Sequence, residues 1–174
     1  MLCPACRYEN LPGADCCAEC ETDLTGLDDA QLGPIESALN QVRLRELIHR
    51  EPLTVSSTDP VASVVKQMAE RGRNCALVVY DGVLVGIFTE RDALQKVAAC
   101  YDEVAGQPIR EFMTAAPEAL NGDDCLAYAI NKMSVGGYRH VPITDDDEKP
   151  LGVVAVRDVL SCLIKTAPEL ISRS

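Results

Sequence analysis

Basic residues are scarce in this 174-residue chain: 16 Lys and Arg stand against 27 Asp and Glu, a formal net charge of −11. Proteins that grip a polyphosphate backbone without sequence preference carry a basic surface, so that class is disfavoured. A nucleotide held by a few local cations is not excluded. Long apolar runs are also missing, because charges interrupt every hydrophobic stretch well short of the roughly 20 residues that span a bilayer. The start, Met1-Leu2-Cys3-Pro4, has no basic segment followed by an apolar one, so no secretory leader is expected. Histidine is limited to His49 and His140, each apart in sequence from an obvious serine or acid partner. An enzyme is therefore the least favoured class.

What is present is a chain with 47% hydrophobic residues, enough for a core. Its length suits one medium domain, or a small domain plus a compact pair of repeats. Nine cysteines without an export signal point to a reducing, cytoplasmic setting, where clustered cysteines bind metal more often than they form disulfides. Five fall in the first twenty residues: Cys3, Cys6, Cys16, Cys17 and Cys20. Cys3-Pro4-Ala5-Cys6 and Cys17-Ala18-Glu19-Cys20 are two Cys-x-x-Cys pairs with ten residues between them. Together they can deliver four thiolates to one tetrahedral zinc ion. A redox dithiol needs such a pair at a helix start in a larger α/β fold. So short a segment also has no apolar core to fold around without a metal. The expected ligands are Cys3, Cys6, Cys17 and Cys20. Cys16 competes with Cys17 as the partner of Cys20, and the two-residue spacing favours Cys17. Cys75, Cys100, Cys125 and Cys162 read as small buried hydrophobes.

A linker with Gly26, Gly33 and Pro34 follows, and Ile35 to Arg50 reads as a helix with Ile35, Leu39, Val42 and Leu47 along one side. From there the chain repeats itself. Gly86-Ile87-Phe88-Thr89-Glu90-Arg91-Asp92 recurs 66 positions later as Gly152-Val153-Val154-Ala155-Val156-Arg157-Asp158. Leu44-Arg45-Glu46-Leu47-Ile48 recurs 65 positions later as Ile109-Arg110-Glu111-Phe112-Met113. So long a period marks a duplicated supersecondary unit. Each unit reads as β-α-β-β-α. In the first, Leu53 to Val55 is a short strand, Asp59 caps a helix begun by Pro60, and Gly72 ends it. Strands Ala76 to Tyr80 and Val83 to Phe88 are joined by Asp81-Gly82, a tight-hairpin signal. A helix follows from about Glu90 to Ala99. The second unit has Asp124 as cap, Gly136-Gly137 as stop, and strands His140 to Thr144 and Leu151 to Ala155. The two units are expected to pack as one body.

Phe112-Met113-Thr114, Arg139-His140-Val141-Pro142-Ile143 and the two Gly-x-x-(Thr or Ala)-x-x-Asp stretches carry a resemblance to the CBS-domain pair, or Bateman module. The likeness covers roughly Val42 to Lys165. It implies an α+β fold of tandem CBS repeats related by a pseudo-twofold axis. It also implies a non-catalytic module that binds an adenosyl compound (AMP, ADP, ATP or S-adenosylmethionine) between the repeats, regulates a partner protein and commonly forms a homodimer. The first twenty or so residues resemble a short zinc ribbon, with Glu9-Asn10 and Pro12-Gly13-Ala14 part of the likeness; where ribbons carry glycine after each second cysteine, this chain has Arg7 and Glu21. The expected organisation is a ribbon over 1–25, linker and helix over 26–50, repeats over 51–105 and 106–168, and a tail over 169–174.

Thr89 and Asp92 admit two readings. Thr-x-x-acid at a helix start is a capping box, explained by helix energetics alone. The same geometry presents N–H groups and a positive dipole end to a phosphate, with the Thr89 hydroxyl as donor and Asp92 as ribose acceptor. In the second repeat Ala155 replaces the threonine while Asp158 remains. Laying the repeats together sets Asn74, Cys75 and Ala76 opposite Tyr138, Arg139 and His140, so only the second offers cations there. In the family such cations commonly complete the site whose Thr and Asp come from the other repeat. One full nucleotide site follows: Thr54, Thr89 and Asp92 with Arg139 and His140. Arg139 can instead pair with the Asp145-Asp146-Asp147 run, and His140 can be an ordinary strand histidine. His49 reads as a favourable charge at a helix end. The competing function is a protein-interaction adaptor with a degenerate cleft.

Overall fold

The structure, a computed structural model, describes residues 2–3, 5–11, 14–24 and 39–166. Two sheets are laid down in sequence order. In the first, β1 (Thr54–Ser56) runs parallel to β2 (Cys75–Tyr80), β2 pairs antiparallel with β3 (Val83–Thr89), and β3 pairs with β4 (Thr114–Ala115). In the second, β5 (Leu120–Asn121), β6 (His140–Thr144) and β7 (Pro150–Ala155) copy β1, β2 and β3. The crossover helices are α1 (Val61–Glu70) between β1 and β2 and α4 (Leu126–Gly136) between β5 and β6. Val61, Val64 and Met68 of α1 recur at helical spacing and are buried against the first sheet. The β2–β3 hairpin turns through Asp81 and Gly82, both at positive φ (49° and 82°), which only a mirror-image turn requires. The two hairpins share an irregularity: Val78 pairs with Gly86 but Val79 with Leu84, and Ile143 with Gly152 but Thr144 with Pro150.

Each repeat lends its leading turn to the other. The single 3₁₀ turn Leu44–Leu47 precedes the first repeat, yet Leu44 is buried in the second core with Leu126, Val141, Ile143 and Val154. Its duplicate Ile109–Glu111 precedes the second repeat, yet Ile109 is buried in the first core with Val55, Val61, Val78 and Phe88. Fully burying such a side chain contributes about 1.5–3 kcal/mol. The exchange is close-packed at two equivalent glycines. A Cβ on Gly86 would strike the Met113 thioether, and one on Gly152 would lie 2.6 Å from Ile48 Cγ2.

Three expectations change. The helix expected over Ile35 to Arg50 is interrupted: residues 39–41 are helical, Arg43 bridges to Cys125, and Leu44–Leu47 is a separate turn, so His49 ends no helix. Ile35 lies outside the described residues. Asp59 and Asp124 do not cap helices. Each carboxylate instead reaches back three residues, to the N–H of Ser56 at 3.0 Å and of Asn121 at 2.7 Å, bracing the strand-to-helix turn; Pro60 and Cys125 hold the cap positions. The helix after β3 is irregular: α2 (Glu90–Asp92) continues through a π-turn at Ala93–Val97 and a 3₁₀ turn at Ala98–Cys100 into α3 (Tyr101–Val104). Its counterpart α5 (Val156–Thr166) is regular.

Gly152→Ala should destabilise the chain by about 1–3 kcal/mol through overpacking. Together with Ile48→Ala it should cost less than the sum of the two single effects. Urea midpoints of the four proteins check this, and a Gly152→Ala midpoint equal to that of the wild type would refute the close contact.

Candidate functional site

The cysteine segment forms two similar turns. In the first, the Cys3 N–H donates to the Tyr8 carbonyl at 2.9 Å and the Arg7 N–H to the Cys3 carbonyl at 2.9 Å. In the second, Cys17 donates to Thr22 at 2.8 Å and Glu21 to Cys17 at 2.9 Å. Arg7 and Glu21, where ribbons have glycine, hold positive φ of 63° and 58°. The backbone keeps the knuckle shape at a steric cost of about 1–2 kcal/mol for each residue. The turns bring the sulfurs of Cys3, Cys6, Cys17 and Cys20 within 4.8 Å of one another, with Cys3–Cys20 and Cys6–Cys17 both at 3.5 Å. Four Zn–S bonds of 2.3 Å in a tetrahedron separate sulfurs by about 3.8 Å, so the cluster fits one such ion. Cys17 is buried; Cys16 is exposed, bridges to Asp23 and stands outside the cluster. Asn10 supports the cluster by accepting from the Ala18 N–H at 2.9 Å and donating to Cys17 Sγ at 3.5 Å. Burial raises the Cys17 thiol pKa, but N–H donors from Cys20, Glu19 and Asn10 outweigh it and bring it to about 6.

At the end of β3 the capping box is complete. The Asp92 N–H donates to Thr89 Oγ1 at 3.2 Å, and Asp92 Oδ2 accepts from the Thr89 N–H at 3.0 Å and its hydroxyl at 2.6 Å. Asp92 Oδ1 faces two groups that sequence reasoning missed: Lys96 Nζ at 2.7 Å and the Thr114 hydroxyl at 3.5 Å. Lys96 also donates to the Phe112 carbonyl at 2.8 Å, which ties this turn to the segment entering the second repeat. An acid and a lysine four apart on a helix were legible as a pair; Thr114 became visible only once β4 paired with β3. Burial raises the Asp92 pKa, and Lys96 and Thr89 more than offset it, leaving the carboxyl below its ordinary value.

The second repeat has the same backbone with fewer groups. Asp158 Oδ2 accepts from the Ala155 N–H at 2.8 Å, the counterpart of the Thr89 backbone bond. The registers correct the expected alignment by one residue. Cys75 pairs with Thr89 and His140 with Ala155, while the Asn74 carbonyl accepts from Glu90 N–H and the Arg139 carbonyl from Val156 N–H. Arg139 therefore stands opposite Asn74, and His140 opposite Cys75. The same shift sets Arg73 opposite Tyr138, so the first repeat also has a cation in this stretch, but one that donates to the Glu51 carbonyl at 2.8 Å. Among the described residues Arg139 makes no ion pair with the acidic hairpin, whose Asp146 and Asp147 are bound by Asn121 and Lys149. Burial lowers the His140 pKa, against the opposing pull of Glu90 from the first repeat and Asp158 from its own. Glu90 likewise acts on Cys75, whose thiol burial pushes up to about 11. The two helix-leading turns thus lie within electrostatic reach of each other.

Thr54 lies on the edge strand of the first sheet. It pairs with Leu77, whereas Thr89 pairs with Cys75, so the two threonines are two strand spacings and two residues, about 12 Å, apart. Thr54 lines a cleft of about 520 Å³ with His49, Arg50, Glu51, Pro150 and Leu151, open to both repeats. Thr89, Asp92, Arg139, His140 and Asp158 do not line it. Cys162 is buried in the second core, Cys125 is buried at the start of α4 outside that cluster, Cys100 packs against the first core, and Cys75 is half-buried.

Two β-α-β-β-α units with exchanged leading turns and matching helix-leading aspartates define a paired-repeat module. The family model for the CBS domain matches residues 44–99 and 109–165, and the chain belongs to the CBS-domain family. CBS domain-containing protein CBSCBSPB1 of Arabidopsis thaliana is 35% identical over 115 residues, covering 66% of this chain and 21% of that protein. The chain thus spans about a fifth of that relative. An uncharacterised 17.7 kDa protein of Acidianus ambivalens is 32% identical, over 60% of this chain and 62% of its own. Among solved structures, the CBS domain pair of protein MJ0100 in complex with 5′-methylthioadenosine and S-adenosyl-L-methionine superposes with a TM-score of 0.62 at 25% identity, covering 69% of this chain and 94% of that one. A CBS domain protein from Pyrobaculum aerophilum complexed with AMP shares the fold at a TM-score of 0.65 and 22% identity, over 73% and 99% of the two chains. No helix among the described residues is long and apolar enough to cross a membrane.

Because the Asp92 pKa is depressed, its contribution to stability is present above the ordinary carboxylate pKa and fades as acid takes the pH down through the folded value. Lys96→Met should cost about 1 kcal/mol near neutral pH, discounted for the partial exposure of Lys96. That gap should narrow as the pH falls below the ordinary carboxylate range and through the depressed folded value. Urea stabilities measured across this range check it, and a gap independent of pH would mean that Lys96 acts by packing rather than by charge.

Proposed function

We propose that this chain is a non-catalytic sensor that binds one adenosyl nucleotide (AMP, ADP, ATP or S-adenosylmethionine) at the Thr89–Asp92 turn and relays its occupancy to a partner protein. The observation that carries this reading is the inequality of two structurally equivalent turns. Thr89 and Asp92 offer a hydroxyl and a carboxylate with Lys96 beside them, while Ala155 and Asp158 offer the carboxylate without the hydroxyl. Arg139 supplies the positive charge for the phosphate from the second repeat, and His140, whose burial favours the neutral ring, offers an imidazole N–H. Asp92 holds Lys96 on Oδ1, so a ribose hydroxyl shares or displaces that contact. Thr54 enters only as part of the lining of the neighbouring cleft. The MJ0100 pair, with its adenosyl ligands, supports the ligand class.

Hydrogen bonds to charged groups contribute roughly 1.5–3 kcal/mol each, and about 1.4 kcal/mol is tenfold in affinity. Calorimetry should therefore find one tight site per chain. Asp92→Ala should abolish it, and Asp158→Ala should change the affinity much less. Equal losses from the two variants would refute the asymmetry, and no binding of any of the four ligands would favour an interaction adaptor instead.

In the same reading the four-thiolate cluster holds one zinc ion. Its role is structural, because all four positions of the tetrahedron are taken by protein sulfur. Elemental analysis should find one zinc per chain, lost in Cys17→Ser and kept in Cys16→Ser. Retention by Cys17→Ser would contradict the ligand set.

A further inference from the structure

The first knuckle is fastened to the second repeat along one line of residues four apart: Asp124, Tyr128 and Lys132. Arg7, which follows Cys6, forms an ion pair with Asp124. The same Asp124 carboxylate accepts the Asn121 N–H and braces the turn from β5 into α4. Two turns further along, Lys132 donates to the carbonyl of Ala5, between the two cysteines of the knuckle, at 3.0 Å, and pairs with Glu118 at 2.5 Å. Neither is a loose surface contact, since the Asp124 and Lys132 side chains are only 13% and 20% exposed. Tyr128, between them, lies within electrostatic reach of both Cys3 and Arg7. Arg7 is also the residue that holds a left-handed backbone where glycine would be unstrained. A glycine there would keep the turn and lose the guanidinium.

We propose that the first knuckle is a metal-dependent clamp on the second repeat, with Arg7 and the Ala5 carbonyl as its two contact points. With four thiolates gathered on one ion, residues 3–7 are fixed and the Ala5 carbonyl and Arg7 guanidinium meet Lys132 and Asp124 together. Without the ion the segment has no core of its own to keep the turn, and the brace at the start of α4 loses its partner. The module then takes two inputs, one at its repeats and one at its cysteines. Coupling of this kind is reciprocal: undocking the knuckle weakens its hold on the metal by the same factor. The clamp rests on the reading of the cluster as a zinc site.

Hydrogen exchange of the full chain, zinc-loaded and after chelation, tests it, with the zinc content of each sample measured. Chelation should speed exchange at amides of 121–132 by about fivefold or more, leaving 61–70 in the first repeat unchanged. An Arg7→Gln/Lys132→Met double variant, which removes the guanidinium without relieving the left-handed backbone, should when still loaded with zinc show the faster exchange already, gain little more on chelation, and surrender zinc to a competing chelator more readily. Zinc present but 121–132 unchanged by its removal would overturn the clamp. If no zinc is bound, the metal reading fails separately, and unaltered exchange in the double variant then overturns the docking contact itself.

Discussion

Two glycines without room for a methyl group govern this molecule. Gly86 lies against Met113 and Gly152 against Ile48, so at each place the segment that leads into one repeat closes over the second hairpin strand of the other. Neither half completes its own core: the first needs Ile109 and the second needs Leu44. The exchange also explains why the candidate ligand turn is not a local feature. Thr89 ends the strand that carries Gly86, and β4 lies beside that strand, which puts Thr114 and the Phe112 carbonyl within reach of Asp92 and Lys96. A ligand that alters the Asp92 contacts acts directly on the segment joining the repeats. A regulatory module needs such a link, because a ligand shifts a conformation only through contacts that differ between its states.

The duplication preserved backbone and let side chains diverge. Hairpin irregularity, strand-to-helix brace and exchanged turn all recur at equivalent places. Against that common frame the first turn has Thr89 and Lys96, where the second has Ala155 and the buried Cys162. The π-turn at Ala93–Val97 occurs in the first repeat alone, directly after Asp92. Such widened turns often accompany functional sites, and here it lies on the side that retains the fuller set of polar groups.

Much of this was legible before any coordinates. The repeated Gly-x-x-x-x-x-Asp stretch, the Asp81-Gly82 hairpin and the two Cys-x-x-Cys pairs are local signals, and local backbone chemistry realised each of them. What escaped was tertiary. Ile35 to Arg50 has helical periodicity, but Val42 and Leu44 are drawn into the second core and Arg43 bridges to Cys125, and these contacts break the helix. Asp59 and Asp124 look like caps because Asp before an apolar run usually is one; here the strand-to-helix turn offers a nearer unpaired N–H. The one-residue error in aligning Arg139 came from matching residues without strand register, which the pairings of Cys75 with Thr89 and His140 with Ala155 supply. Nothing near Arg7 in sequence announces Asp124, more than a hundred positions away.

The central claim is that two turns of the same shape differ in what they can hold. Backbone amide NMR during a titration with AMP and, separately, S-adenosylmethionine tests it most directly. The amides of Thr89 and Asp92 should shift and saturate together, with Phe112 to Thr114 following because Lys96 and Thr114 connect them to Asp92. Arg139 and His140, with Ala155 through its pairing with His140, should follow that same curve, and Asp158 should show no second transition of its own over the same range of ligand. A second, independent saturation at Asp158, or movement at Asp158 with Thr89 and Asp92 still, would contradict the account.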